Sequence, residues 1–113
     1  MAAEMLSEIA TLIESTSAWM WAYIRELDHP EVSKYQPWDE EFELKSRGLA
    51  LFASNAVERV CSRAMDFMGS YGYSREFDIE KHWRDSKMIG IWMGGKGLKT
   101  MENARYWYDL ETL

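Results

Sequence analysis

The sequence predicts an all-α fold, a helical bundle of two long antiparallel helices followed by two shorter ones. Three observations carry this expectation. Apolar residues recur three and four apart over two stretches of more than twenty residues. No run alternates polar and apolar residues over strand length. The two prolines, Pro30 and Pro37, both fall between the two long patterns, where a missing amide hydrogen and a crowded ring interrupt a helix.

The first helix is expected near residues 4–27, on the stripe Leu6, Ile9, Ile13, Met20, Tyr23, Ile24 and Leu27, which Leu12 and Trp19 widen. A loop of about ten residues follows, long for a bundle connection. The second helix is expected near 39–68. Pro37 suits its first turn, and Asp39, Glu40 and Glu41 place negative charge at its positive end. Its stripe is Leu49, Phe52, Ala53, Ala56, Val60, Ala64, Phe67 and Met68, with the alanines letting a neighbour approach closely. Gly69 ends it, and Tyr71-Gly72-Tyr73 continues as a turn. Asp78 is placed to cap a third helix that contains Trp83 and Ile89 and extends toward Ile91. Gly94, Gly95 and Gly97 then break the chain before a last helix from about Leu98 to Tyr108.

At 113 residues the chain is sized for one domain, 1–113, able to bury ~65% of its unfolded surface without staples. A net charge of −6 with no basic cluster argues against a nucleic-acid partner. Charged residues interrupt every apolar stretch, so no membrane span is expected. The lone Cys61 permits no internal disulfide, and its stripe position predicts an inert buried thiol. The first twenty-four residues carry Glu4 and Glu8 but no basic residue, unlike a secretory signal or a mitochondrial presequence, so the expected compartment is the cytoplasm. Six Trp and eight Met are many for this length; they either fill the core or serve a partner surface.

Chemical motifs are sparse. Gly90, Gly95 and Lys96 match the glycine and lysine spacing of a phosphate-binding loop, but Gly97 stands where the magnesium-holding hydroxyl belongs, and the preceding segment reads as helix instead of strand. His29 and His82 are far apart, so no metal site is expected. Nothing marks a base beside Cys61. Lys81 and Asp85, four apart, suit a local pair on a solvated face.

Two longer segments carry a resemblance. ELKSRGLALFASNAVERVCSRAMDFMGSYGY is similar to a long helix of the acyl-CoA dehydrogenase family, with the match carried by Leu51 to Ser54 and Gly69 to Tyr73. The stretch from Ala64 to Arg105 resembles the end of that family's last helical domain, with turn, Arg-Glu, Arg-Asp and terminal Ala-Arg in order. MLSEIATLIESTSAWMWAYIRELDHP is similar to the helix before, so nearly the whole chain resembles the family's carboxy-terminal bundle, without the bundle's first helix.

The resemblance implies several things about function. In such flavoenzymes the glycine turn of one subunit reaches the flavin adenine dinucleotide (FAD) of its neighbour; the matching positions are Asp66, Gly69 and Ser70. Asp66 stands where the family has glutamine and sets a carboxylate near a pyrophosphate's path. The flavin-touching threonine and the polar residue after it correspond to Gly95 and Gly97, which keep only backbone amides. Where the family reads Glu-Gly-Thr after an aromatic residue, this chain reads Met93-Gly94-Gly95 after Trp92, and a thioether cannot abstract a proton. Glu102, nine residues on, offers no evident replacement.

The resemblance therefore implies no catalytic residue in this chain, no metal, FAD contact only alongside a partner chain, and no FAD on the isolated chain. The expected role is a non-catalytic small subunit or separate carboxy-terminal domain packing on a catalytic chain. A self-associating helical scaffold, partnered by another copy of itself, is the alternative from a different class. A piece of a longer enzyme is the third. A bundle lacking one helix should leave an apolar groove between its long helices and should not be a monomer; Trp19, Trp21 and Phe52 are the expected contacts.

Overall fold

The computed structural model describes residues 1–31, 33–92 and 95–108. It contains α1 (Ala2–Asp28), α2 (Glu40–Met68), α3 (Ile79–Ile91) and α4 (Gly95–Tyr108), with two short 3-10 turns, Gly69–Tyr73 and Arg75–Phe77, between α2 and α3. No strand occurs among the described residues, so the all-α expectation holds. The expected bounds of the two long helices fall within two residues of those observed, the ordinary fraying range.

Helix α2 is the hub against which α1, α3 and α4 all pack. Its buried positions are Phe42, Gly48, Ser54, Ala56 and Met65, and three of the five are small. That choice sets the approach distances. A Cβ at Gly48 would collide with the side-chain amide of Asn103 on α4, so the absence of a side chain lets α4 cross there. Helix α3 answers with Ser86 and Gly90, and the Ser86 hydroxyl is satisfied by donating to the Trp83 carbonyl at 2.6 Å.

Several expectations about the elements are corrected. Pro37 does not occupy the first turn of α2; Asp39 closes a turn first, its N–H bonding the Gln36 carbonyl at 3.0 Å and its carboxylate accepting from the Gln36 N–H at 2.9 Å. The Asp78 carboxylate does not cap α3. Its backbone is left-handed at φ 59°, not the extended form that aims a capping side chain at the helix, and only its carbonyl takes part, accepting from His82 N–H at 3.1 Å. Ile89 and Ile91 are exposed, because the face of α3 that meets α2 is the small one. Gly97 lies inside α4, which starts three residues before Leu98; the chain departs from helical geometry at Trp92, extended at ψ 151°, and at Gly95, at φ 74°. Phe67, assigned to the α2 stripe, is exposed as well.

The apolar core is small, with Ala56 and Met65 buried further along α2 and its aromatic part toward the start of that helix. Phe42, only 2% exposed, stacks on Tyr23 with ring centroids 4.5 Å apart, and Tyr35 from the connecting loop stacks on it at 5.8 Å. None of the six tryptophans is buried: Trp19 and Trp83 are half-covered and the other four are exposed, so core filling does not account for them. Helix α1 has no buried residue over its 27 positions. Its single sequence stripe divides into two faces. Ile9, Leu12, Thr16, Trp19 and Tyr23 are half-buried on the side toward α2, with Trp19 tilted on Phe52 at 5.5 Å. Leu6, Ile13, Met20 and Leu27 face outward at 49%, 53%, 40% and 39% exposure.

Candidate functional site

Asp66, Gly69 and Ser70 fall within one and a half turns at the end of α2, and all three are exposed. Gly69 has φ 61° and ψ −135°, a region open to glycine and strained for other residues, while its N–H bonds the Asp66 carbonyl. A Cβ at Gly69 would meet nothing within 4 Å, so one flank of this turn is open to close approach by a ligand or another chain. Gly72 is fixed for a different reason: a Cβ there would come within 2.6 Å of the Met65 carbonyl oxygen, a backbone clash that cannot relax cheaply. The turn is thereby clamped to the last helical turns of α2, with the exposed rings of Tyr71 and Tyr73 on it.

The Asp66 carboxylate is weakly compensated. Its nearest cation is the Arg63 guanidinium at 3.8 Å, and Arg63 itself spends its Nε on Glu8 at 2.7 Å. Glu8 bridges α1 to α2 by accepting from Arg59 at 2.5 Å as well, and these two guanidinium groups hold its carboxyl below the usual carboxylate range. Asp66 helps line a groove of about 230 Å³ with Met65, Tyr73 and Trp83. A second groove of about 360 Å³ shares Ser62 and Trp83 with the first and continues along the α2–α3 seam to Lys96.

That second groove is organised around Glu58, which accepts from Lys87 at 2.5 Å and from Lys96 at 2.7 Å. Lys87, then Lys96, draws its carboxyl below the usual range against the opposing effect of burial. Lys96 is thus committed to a carboxylate on α2, and the phosphate-loop spacing of Gly90, Gly95 and Lys96 is packing instead: a Cβ at Gly90 would lie 3.1 Å from the Lys96 side chain. Lys99, buried, donates to the Trp92 carbonyl at 3.2 Å and ties the start of α4 to the end of α3. Gly95, at φ 74°, and Gly97, whose flank is open, sit in the first turn of α4. Met93 and Gly94 lie outside the described residues.

The remaining candidates resolve simply. Exposed His29 pairs with Glu31 at 3.1 Å, and no group of three His, Cys, Asp or Glu among the described residues could hold a metal ion. The local pair on α3 is Arg84 with Glu80 at 3.1 Å, not Lys81 with Asp85. Glu102 lies 2.7 Å from Arg47 Nε, an ion pair off the hydrogen-bond angle. Cys61 is half-buried in an apolar groove of about 210 Å³ between α1 and α2, where burial pushes its thiol up. No helix among the described residues is long and apolar enough to cross a membrane.

The ion pairs Glu8–Arg59, Glu58–Lys87 and Glu58–Lys96 join residues far apart in the chain, and no local pattern marks them. A cue existed only for the small residues of α2 and α3, whose spacing names a packing face without naming its partner.

Comparison with known proteins gives one consistent result. The family described as acyl-CoA dehydrogenase, C-terminal domain, matches residues 1–105. The chain is 28% identical over 102 residues to a cyclohexane-1-carbonyl-CoA dehydrogenase of Geobacter metallireducens, covering 90% of this chain and 24% of that protein. It is 37% identical over 49 residues to a short-chain-specific acyl-CoA dehydrogenase of Megasphaera elsdenii, covering 43% and 13%. It is 22% identical over 97 residues to the CarC subunit of the caffeyl-CoA reductase-Etf complex of Acetobacterium woodii, covering 86% and 23%. The chain thus spans a quarter or less of the length of these curated relatives. No solved structure matches it.

Proposed function

Because the chain belongs to the acyl-CoA dehydrogenase family through its C-terminal domain, we propose that it acts as the non-catalytic helical module of a flavin-dependent acyl-CoA dehydrogenase, packing on a catalytic chain. The observation that carries this reading is the uncovered face of α1. Ala3, Leu6, Ala10, Ile13, Ser17, Met20, Ile24 and Leu27 follow one another at alternating intervals of three and four, the spacing of a seam between packed helices. Its four large outward residues are all exposed, and Ile13 and Ser17 share the apolar groove with Val57 and Val60 of α2. A covering helix laid along this groove would bury both α1 and α2.

The areas agree with a missing partner. A compact monomer of 13.3 kDa exposes about 6,400 Å², whereas this chain exposes 7971 Å². The excess of roughly 1,500 Å² exceeds the ~800 Å² that one partner contributes to a standard interface. The radius of gyration, 16.8 Å, likewise exceeds the ~13 Å of a compact domain of this length.

Contact with the partner's FAD would run through backbone. The open flanks at Gly69 and Gly97 and the exposed Ser70 suit close approach, and Gly95 begins the adjoining helix; these fit an edge contact. The Asp66 carboxylate does not suit a pyrophosphate, so the partner supplies the rest of the cradle. FAD would supply redox chemistry there, and this chain would contribute position and water exclusion. Met93, by the identity of its side chain, gives no base.

The test is affinity capture from the native source with the wild-type chain and with an Ile13→Glu/Met20→Glu variant. The expected outcome is a flavoprotein recovered near one to one with the wild type, and its loss with the variant while far-ultraviolet circular dichroism stays helical. A stable homodimer that captures no flavoprotein would establish the self-associating scaffold instead.

A further inference from the structure

At the end of α2 remote from the glycine turn, the last turn of α1, the connecting loop and Tyr106 of α4 enclose a cleft of about 550 Å³. Lys45 lies about 32 Å along α2 from Asp66 at a rise of ~1.5 Å per residue, so this cleft is separate from the glycine turn. Its floor is aromatic. The buried Tyr35 and half-buried Tyr106 place their hydroxyls 3.0 Å apart, and Tyr35 is backed by Phe42.

The charges of the lining do not cancel. Lys45 is matched by Glu26 at 2.6 Å. Arg25 and Lys34 make no ion pair among the described residues; Lys34 stands over the Tyr35 ring at 4.9 Å, its pKa raised chiefly by that phenol, and Glu41 and Glu26 act on it only through the field. Two cations at one cleft stand out in a chain of net charge −6. Two phenols that bond to each other use one hydroxyl hydrogen and leave the second free. Tyr35 is lowered from the ordinary tyrosine value, chiefly by its bond with Tyr106, and Tyr106 is pushed up to about 12. Either hydroxyl can donate in this pair, and the one that accepts keeps its own O–H to be offered elsewhere.

We propose that this cleft binds a small organic anion, a carboxylate or phosphate monoester on a flat apolar body, with its head between Arg25 and Lys34 and its body on the Tyr35–Tyr106 floor. The two cations supply charge-assisted bonds, and the ring pair supplies apolar area and one hydroxyl donor. An inorganic ion would use the first feature alone. A neutral aromatic would use the second alone.

Heteronuclear NMR titration of the full chain with benzoate, phenyl phosphate and neutral benzamide tests this. The expected result is saturable shifts confined to residues 25–45 and 104–107 for one or both anions, with benzamide binding at least ~10-fold more weakly. The stronger anion identifies the head group. An Arg25→Gln/Lys34→Gln variant, altered only at exposed positions, should weaken binding ~10-fold or more, whereas Lys81→Gln on α3, which removes a charge elsewhere, should not. Three results would each overturn the proposal: no saturation by about 20 mM of either anion, benzamide binding as tightly as the anions, or equal loss from the Lys81 variant.

Discussion

Single side chains decide two features of this molecule that composition does not reveal. Gly72 is required because Met65 occupies the space a side chain would need, so Gly72→Ala should lower stability by about 1–3 kcal/mol, read as an earlier urea midpoint with an unchanged slope. Glu58 is held below the usual carboxylate range by Lys87 and Lys96. A depressed folded-state value stabilises the fold above the unfolded carboxylate pKa, and that contribution is lost as pH falls through the folded value. Urea midpoints measured from neutral pH into the acid range should therefore fall less steeply for Glu58→Gln than for wild type, while the variant is weaker at neutral pH. Equal slopes would mean that the lysines contribute nothing to its ionisation.

At the scale of elements, α1 separates two roles that its stripe merges. Trp19 packs on Phe52 within the chain, so two of the three residues expected to meet a partner are engaged with each other instead. Trp19→Ala should cost about 1–3 kcal/mol of unfolding free energy, because a half-covered ring loses part of its burial. Trp21 is exposed, and Trp21→Glu should leave the unfolding free energy within ~0.5 kcal/mol of wild type while weakening any assembly formed through α1. A helix periodicity identifies apolar positions but not which of two neighbours each one meets. The four helices and the ends of the long pair were legible because 3.6-residue periodicity and glycine are local signals. The caps at Pro37 and Asp78 were not, since each depends on how the preceding turn closes.

For the whole molecule, the exposed area and elongated shape fit the proposed association, and the thioether of Met93 fits the proposed dependence on another chain. We expect the purified chain to be colourless and inactive toward acyl-CoA of every chain length; absorbance in the flavin region and turnover with an artificial electron acceptor are the readouts, and stoichiometric flavin would contradict it. The sequence by itself determined the helix class, the family resemblance and the thioether at Met93, because periodicity, motif order and residue identity are all properties of local order along the chain. Only the tertiary structure decided that no tryptophan is core, that Lys96 answers to Glu58 rather than to a phosphate, and that Tyr35 meets Tyr106 across a basic cleft. Those are contacts between residues tens of positions apart, set by how α2 seats its neighbours at Gly48, Ser86 and Gly90, and a one-dimensional pattern carries no record of which faces come together.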